Sequence, residues 1–213
     1  MTVVLGLLAL AVVALPALAD TPSAADASHH HMDAMPAEAH AHQFVAPKLF
    51  RTVTQYATPD VQLVRDDGRS VNLRAEIDDG RPVVLAFIYT SCSAVCPLTT
   101  QTLSALQSRL GADRDRVHLV SISIDPEQDT PARLRDYAQR FHAGPEWHYY
   151  TGSLGATQLA QRAFDVYRGD KMSHSPVTLV RAAPGAPWVR LDGFATADEL
   201  YAELPHPLLT ANR

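Results

Sequence analysis

Val83-Val-Leu-Ala-Phe-Ile-Tyr-Thr-Ser-Cys92-Ser-Ala-Val-Cys96-Pro97 is the stretch on which the reading of the chain turns. Its first eight residues, Val83 to Thr90, form an apolar, β-branched and aromatic run with the length and composition of a buried strand. Past Ser91 and Cys92 the pattern changes. Leu98, Leu103, Leu106 and Leu110 recur near the helical period, which predicts a helix over 98–110 with the leucines on one face. The two cysteines therefore sit where a buried strand hands over to a helix N-terminus. Unpaired backbone N–H groups and the helix dipole favour negative charge there, which lowers a thiol's pKa and populates the thiolate. Four residues apart in a first turn, Cys92 and Cys96 point to one side, near enough for a disulfide or one shared metal ion. The chemistry is expected here.

Composition narrows the options. The 213 residues are enough for one well-buried domain with appendages, and 46% hydrophobic with 19% charged residues is the make-up of an ordinary globular protein. Net charge is −5 and no Lys/Arg cluster occurs, which argues against nucleic acid as the partner, since phosphate binding needs concentrated positive charge. The chain has only two cysteines, both in this one motif. A disulfide between them would close so short a loop that it stabilises little. The pair is read as redox-active or metal-binding rather than as a staple.

Working outward toward the N-terminus, residues 1–19 are almost uninterruptedly apolar and end Leu15-Pro-Ala-Leu-Ala19 before Asp20. The Ala17-x-Ala19 pattern marks a signal-peptidase site, and the apolar core is short for a membrane span. No Lys or Arg precedes it, so a cleaved signal peptide and an uncleaved anchor giving membrane attachment both stay open. Either places the remainder in the periplasm or on the extracytoplasmic face of the membrane, where a dithiol needs a reductant to stay reduced. Residues 20–43 are rich in Ala, His and Pro without helical or strand period, and are expected to be disordered. They hold His29, His30, His31, His40 and His42, together with Met32 and Met35. Imidazole and thioether ligate copper-like ions, so auxiliary metal capture stands beside the alternative of a solvated linker.

Residues 44–213 form the expected domain. Tyr56–Arg65 and Ser70–Leu73 read as a hairpin about an Asp-Asp-Gly-Arg turn, and Val117–Ile124 as a second buried strand. Thr130 caps a helix with Pro131 at its first position and Leu134, Tyr137, Ala138 and Phe141 inward. Trp147–Thr151 reads as a strand. Ser153 opens a helix whose inner side carries Leu159, Ala163, Phe164 and Tyr167. Ser175–Arg181 and Trp188–Leu191 pair about Pro184-Gly185, and Thr196-x-x-Glu199 is a capping box. Trp147, Trp188 and Phe164 are expected in the core, and His118, His142, His148 and His206 in structural or solvated places. The order implies an α/β domain with a central sheet covered on both faces.

Tyr89-Thr-Ser-Cys92-x-x-x-Cys96-Pro97, then Ser123-Ile-Asp125-Pro-Glu-Gln-Asp129-Thr-Pro131, then a late Ser173-His174-Ser175, resembles the Sco/SenC family over about Tyr56 to Glu203. The resemblance implies a thioredoxin-like fold and a copper chaperone, not an enzyme, that serves the CuA site of cytochrome c oxidase. It implies one copper ion per domain held by Cys92, Cys96 and His174, with Asp125 near the site or in contact with a partner. The implied partners are a metal-receiving protein, cytochrome c oxidase subunit II, and an upstream copper donor, with a monomeric domain. Two thiolates and an imidazole suit Cu(I) and can also hold Cu(II). Structural zinc normally takes four protein ligands, and no fourth is evident. Oxidation to a Cys92–Cys96 disulfide would abolish metal binding, so thiol redox state gates occupancy.

The chain departs from the family pattern in two places. Ser93-Ala94-Val95 replaces the usual proline and acidic residue between the cysteines, and Ser173 replaces the usual aspartate before the histidine, a carboxylate that could orient a ligating imidazole. Met172 offers a thioether, but a buried packing role is expected. If Ser175–Pro176 is cis, as at the strand facing the dithiol in thioredoxin folds, a thiol–disulfide oxidoreductase acting on the partner's cysteines is the competing reading. A copper buffer working through the His/Met-rich tail is the third. A peroxidase fits poorly, because Thr90 precedes Cys92 by two residues rather than three.

Overall fold

The computed structural model describes residues 49–205. Eight strands make one mixed sheet in the order β1-β8-β7-β4-β5-β6-β2-β3. They are β1 (Phe50–Thr54), β2 (Gln62–Arg65), β3 (Ser70–Asn72), β4 (Val83–Ile88), β5 (His118–Ser123), β6 (Trp147–Thr151), β7 (Val177–Arg181) and β8 (Trp188–Asp192). Five helices connect them: α1 (Leu73–Ile77), α2 (Val95–Leu110), α3 (Pro131–Arg140), α4 (Leu154–Ala163) and α5 (Ala197–Ala202). β4, β5 and β6 run parallel, and β7 lies antiparallel to β4. The apolar run read from sequence is thus a central strand, buried at all six positions, as a strand covered on both faces must be.

Each face of the sheet has its own aromatic packing. On one, Phe164 at the end of α4 meets Phe87 of β4 with ring centroids 6.0 Å apart and Trp188 of β8 at 5.1 Å. On the other, Tyr137 of α3 stands edge-on to Tyr149 of β6, and the Trp147 indole donates to Ser121 Oγ at 3.0 Å. Burying such rings contributes about 1.5–3 kcal/mol each, and tilted or edge-on pairing adds about 1 kcal/mol. Thr130, Ser153 and Thr196 cap α3, α4 and α5 through their side chains, and Thr196 with Glu199 completes the capping box.

Several expectations need correction. The helix after the dithiol starts at Val95, and Leu98 is half exposed; the buried stripe is Cys96, Thr99, Thr100, Leu103, Leu106, Gln107 and Leu110. Its polar members are satisfied, with Thr100 bonded to Cys96 O and Tyr137 Oη, and Gln107 to His142 O and Gly144 N. In α4 the inner face is Thr157, Ala160, Gln161 and the capping Phe164, while Leu159 is exposed. The Tyr56–Arg65 strand shortens to β2, because Leu73 N reaches back to Val61 O and turns the chain into α1. The edge strand β1, with four exposed residues, was not read from the sequence. All peptide bonds among the described residues are trans, Ser175–Pro176 included.

Candidate metal centre

The β4–α2 connection is built around a sulfur. Ala94 at the head of α2 has no capping side chain, and the Cys96 N–H is taken by Cys92 Sγ at 3.4 Å. Cys92 lies ahead of the helix rather than inside its first turn, and this contact brings the two cysteines together. The cysteines are both free and both buried.

Their acidities diverge. Burial would raise the Cys92 pKa, but the N–H groups of Cys96 and Ala94, with the Cys96 thiol and the Tyr89 hydroxyl, outweigh it and hold Cys92 below the ordinary thiol range. Cys96 is pushed well above that range, by burial first and then by facing Cys92. A helix N-terminus was expected to activate the motif as a whole. It activates Cys92 alone, because Cys96 is 1% exposed and its sulfur is removed from water.

A carboxylate missed by sequence reasoning fixes the loop. Asp129, fully buried, accepts from Thr90 N at 3.1 Å, from Thr90 Oγ1 at 2.5 Å and from Ser123 Oγ at 2.6 Å. It ties the residues just before Cys92 to the end of β5. The only sequence signal was its place in the Asp-Thr-Pro segment that carries the resemblance, where no role was assigned to it.

The His174 loop approaches from β7. Lys171–Ser173 is a single 3-10 turn whose Met172 N–H is held by Asp170 Oδ1 at 2.9 Å. Lys171 Nζ pairs with Asp125 Oδ2 at 2.5 Å and lies 5.7 Å from the Tyr89 ring centroid. Asp125, buried at the end of β5, thereby anchors the turn. The His174 ring, half-buried, puts Nε2 3.0 Å from the Phe87 carbonyl. A carbonyl only accepts, so Nε2 carries the proton and the neutral ring keeps its Nδ1 lone pair. Burial lowers the His174 pKa; the Phe87 hydrogen bond opposes that, and Arg168 adds to it.

Among the described residues no three His, Cys, Asp or Glu side chains are gathered closely enough to hold a metal ion. Cys92 and Cys96 are together, while His174 is engaged with the β4 carbonyl. Met172, expected to pack, is 75% exposed, and Tyr89 Oη donates to its sulfur at 3.8 Å. His118 and His148 are structural, lying against each other on β5 and β6. Residues 1–19 and the histidines and methionines His29, His30, His31, Met32, Met35, His40 and His42 lie outside the described residues, as does His206. No described helix is long and apolar enough to cross a membrane.

The SCO1/SenC family model matches residues 52–205, well over half of the 213 residues. The chain belongs to the SCO1/SenC family. An SCO1 homologue of Bacillus subtilis is 34% identical over 87 residues, covering 40% of this chain and 44% of that protein. A mitochondrial SCO2 homologue of Bos taurus is 36% identical over 112 residues, covering 51% and 40%. The matched stretches thus span less than half the length of these SCO relatives. Among solved structures, Arabidopsis thaliana ScoI with copper bound is 27% identical, with a TM-score of 0.56, over 68% of this chain and 93% of that one. Bradyrhizobium japonicum ScoI with copper bound is 25% identical, with a TM-score of 0.58, over 68% and 96%. The mixed sheet with its helices is the thioredoxin-like fold of the Sco proteins.

Proposed function

We propose that this chain is an extracytoplasmic copper metallochaperone that binds its cargo through Cys92, Cys96 and His174. The free, buried Cys92–Cys96 pair at the head of α2 carries the reading, in a chain of the SCO1/SenC family similar to ScoI proteins solved with copper. The donor set fits: two sulfurs and a neutral imidazole with a lone pair at Nδ1 are soft ligands suited to Cu(I). Cys92 offers a thiolate without a large proton cost, and Cys96 gives up its proton on binding the ion, so uptake releases protons. A three-donor shell leaves the cargo exchangeable toward an acceptor with cysteine and histidine ligands, such as the CuA site of cytochrome c oxidase subunit II. Asp125, through Lys171, sets the loop that presents His174.

The divergent thiol acidities favour a second reading, disulfide exchange. In it the Cys92 thiolate attacks a partner disulfide, one partner sulfur leaves as thiolate, and Cys96 resolves the mixed disulfide. The partner leaves as a dithiol and the chain as the Cys92–Cys96 disulfide, a balanced two-electron exchange.

Anaerobic Cu(I) competition against a chromogenic chelator separates these readings, using the reduced full chain, His174→Ala and the Cys92→Ser/Cys96→Ser double variant. The chaperone reading expects one tightly bound ion, lost in the cysteine variant, and a weakening by His174→Ala of about tenfold, or 1.4 kcal/mol. A His174→Ala variant equal to wild type sinks the three-ligand site. Turnover of a model disulfide that survives His174→Ala supports exchange instead. A cysteine variant that keeps most of its copper points to the His/Met-rich tail.

A further inference from the structure

Met172 is a large apolar side chain that the fold leaves 75% exposed, yet its position is not loose. Its N–H is fixed by Asp170 Oδ1, Ser173 N bonds Asp170 O at 3.0 Å, and His174 N bonds Lys171 O at 3.1 Å. Lys171 then pins the turn to Asp125 at the end of β5 and lies over the Tyr89 ring. This frame fixes the turn that carries the thioether. Tyr89 Oη donates to Met172 Sδ at 3.8 Å, and the Tyr89 carbonyl accepts from Cys92 N at 3.2 Å. Tyr89 thus contacts the exposed thioether through its side chain and Cys92 through its backbone, while the imidazole of His174 is engaged elsewhere, on the Phe87 carbonyl.

From this juxtaposition we infer that Met172 is a copper ligand of this chain: its thioether joins Cys92 in taking Cu(I) at the solvent side of the site. The inference rests on the copper-binding reading above and goes beyond its Cys92, Cys96 and His174 set. A thioether is soft, as Cu(I) prefers, and neutral. It has no proton to lose, so unlike Cys96 it binds at once and releases nothing. Such a donor suits the position where an ion arrives and departs. The Tyr89 hydrogen bond is displaced when the sulfur lone pair turns to the metal. Single exposed apolar side chains are common on protein surfaces. A Met172 that merely contacts a partner protein would leave its sulfur indifferent to the ion alone, and the test turns on that difference.

The experiment uses the reduced full chain with its methionines labelled with carbon-13 at the methyl. The chain has four methionines, Met1, Met32, Met35 and Met172, and the Met172→Leu variant assigns the relevant signal. Titration with one equivalent of Cu(I) under anaerobic conditions, with a chelator present to suppress weak sites, is expected to shift the Met172 methyl. It should also show Met172→Leu binding weaker by about threefold to tenfold, up to 1.4 kcal/mol. Leucine keeps the size of the side chain at an exposed position, so the variant folds. A Met172 methyl that stays put while wild type binds copper and the Cys92→Ser/Cys96→Ser variant does not overturns the Met172 assignment alone. Met172→Leu binding as tightly as wild type does the same. A cysteine variant that binds as tightly as wild type removes the copper-site reading, and Met172 with it.

Discussion

Cys92 and Cys96 are separated by three residues yet diverge in acidity, Cys92 lowered through one capping contact and Cys96 raised chiefly by burial. The Cys92 sulfur serves as the missing cap of α2, so it collects backbone N–H groups, while Cys96 lies one turn further under the chain. Thiolate reactivity should follow. With one equivalent of iodoacetamide near pH 7, peptide mapping of the reduced protein is expected to find the label on Cys92, its rate rising with pH to a plateau below that of a free thiol. Equal labelling, or Cys96 first, would show that the capping contact does not govern the pair. That both cysteines belong to the site was legible in their spacing. That only one is activated was not, because the spacing does not say which sulfur replaces the side-chain cap that Ala94 lacks.

Between elements, the site depends on a tie that joins two connections. Asp129, just before the Thr130 cap of α3, binds both donors of Thr90 in the β4–α2 connection and the Ser123 hydroxyl at the end of β5. Asp129→Ala leaves the part-buried Thr90 donors and the buried Ser123 hydroxyl unmatched. Hydrogen bonds to a charged group contribute about 1.5–3 kcal/mol each, with partial relaxation expected. A loss of about 2–4 kcal/mol in urea unfolding should result, with Cu(I) affinity falling as the Cys92 loop loosens. A change under about 0.5 kcal/mol, the size of an ordinary surface substitution, would sink the idea. The same scale shows where hydrophobic periodicity misleads. In α2 and α4 the buried stripe includes Thr99, Thr100, Gln107, Thr157 and Gln161, whose polarity argued for the outer face. Leu98 and Leu159 were drawn inward in their place. β4, β5 and β6 were legible because β4 is apolar throughout and β5 and β6 are short runs rich in β-branched or aromatic residues. β1 was not, since an edge strand with four exposed residues shows no alternation, and α1 is too short for a period to form.

At the scale of the whole molecule, folding removes His118 from water at the start of β5, 1% exposed in the middle of the sheet. Its Nε2 is 3.3 Å from the Tyr150 hydroxyl and its Nδ1 3.4 Å from Asp79 Oδ2, with the His148 ring edge-on at 5.8 Å. Burial, followed by Arg81, lowers its pKa from the ordinary 6.5 to about 4; Asp79 and Glu76 oppose this, and His148 adds to it. Between those two values the unfolded chain binds the proton and the folded chain does not, so stability falls as pH falls through that window. The contribution is whole above the unfolded value near 6.5 and gone below about 4, and at 1.36 kcal/mol per pKa unit it amounts to about 3 kcal/mol. His148, lowered by burial and by Arg65, adds loss of the same sign. His118→Leu should therefore flatten urea-derived stability between pH 6.5 and 4, whatever it does to stability at neutral pH. The Tyr150 hydroxyl keeps its 3.1 Å bond to Glu76 Oε1, so the comparison isolates the imidazole. A variant whose pH profile runs parallel to wild type would move the acid sensitivity of this window from His118 to another histidine such as His148; Asp67, which Arg65 holds at about 2, loses its stabilisation only below the window and leaves the comparison untouched.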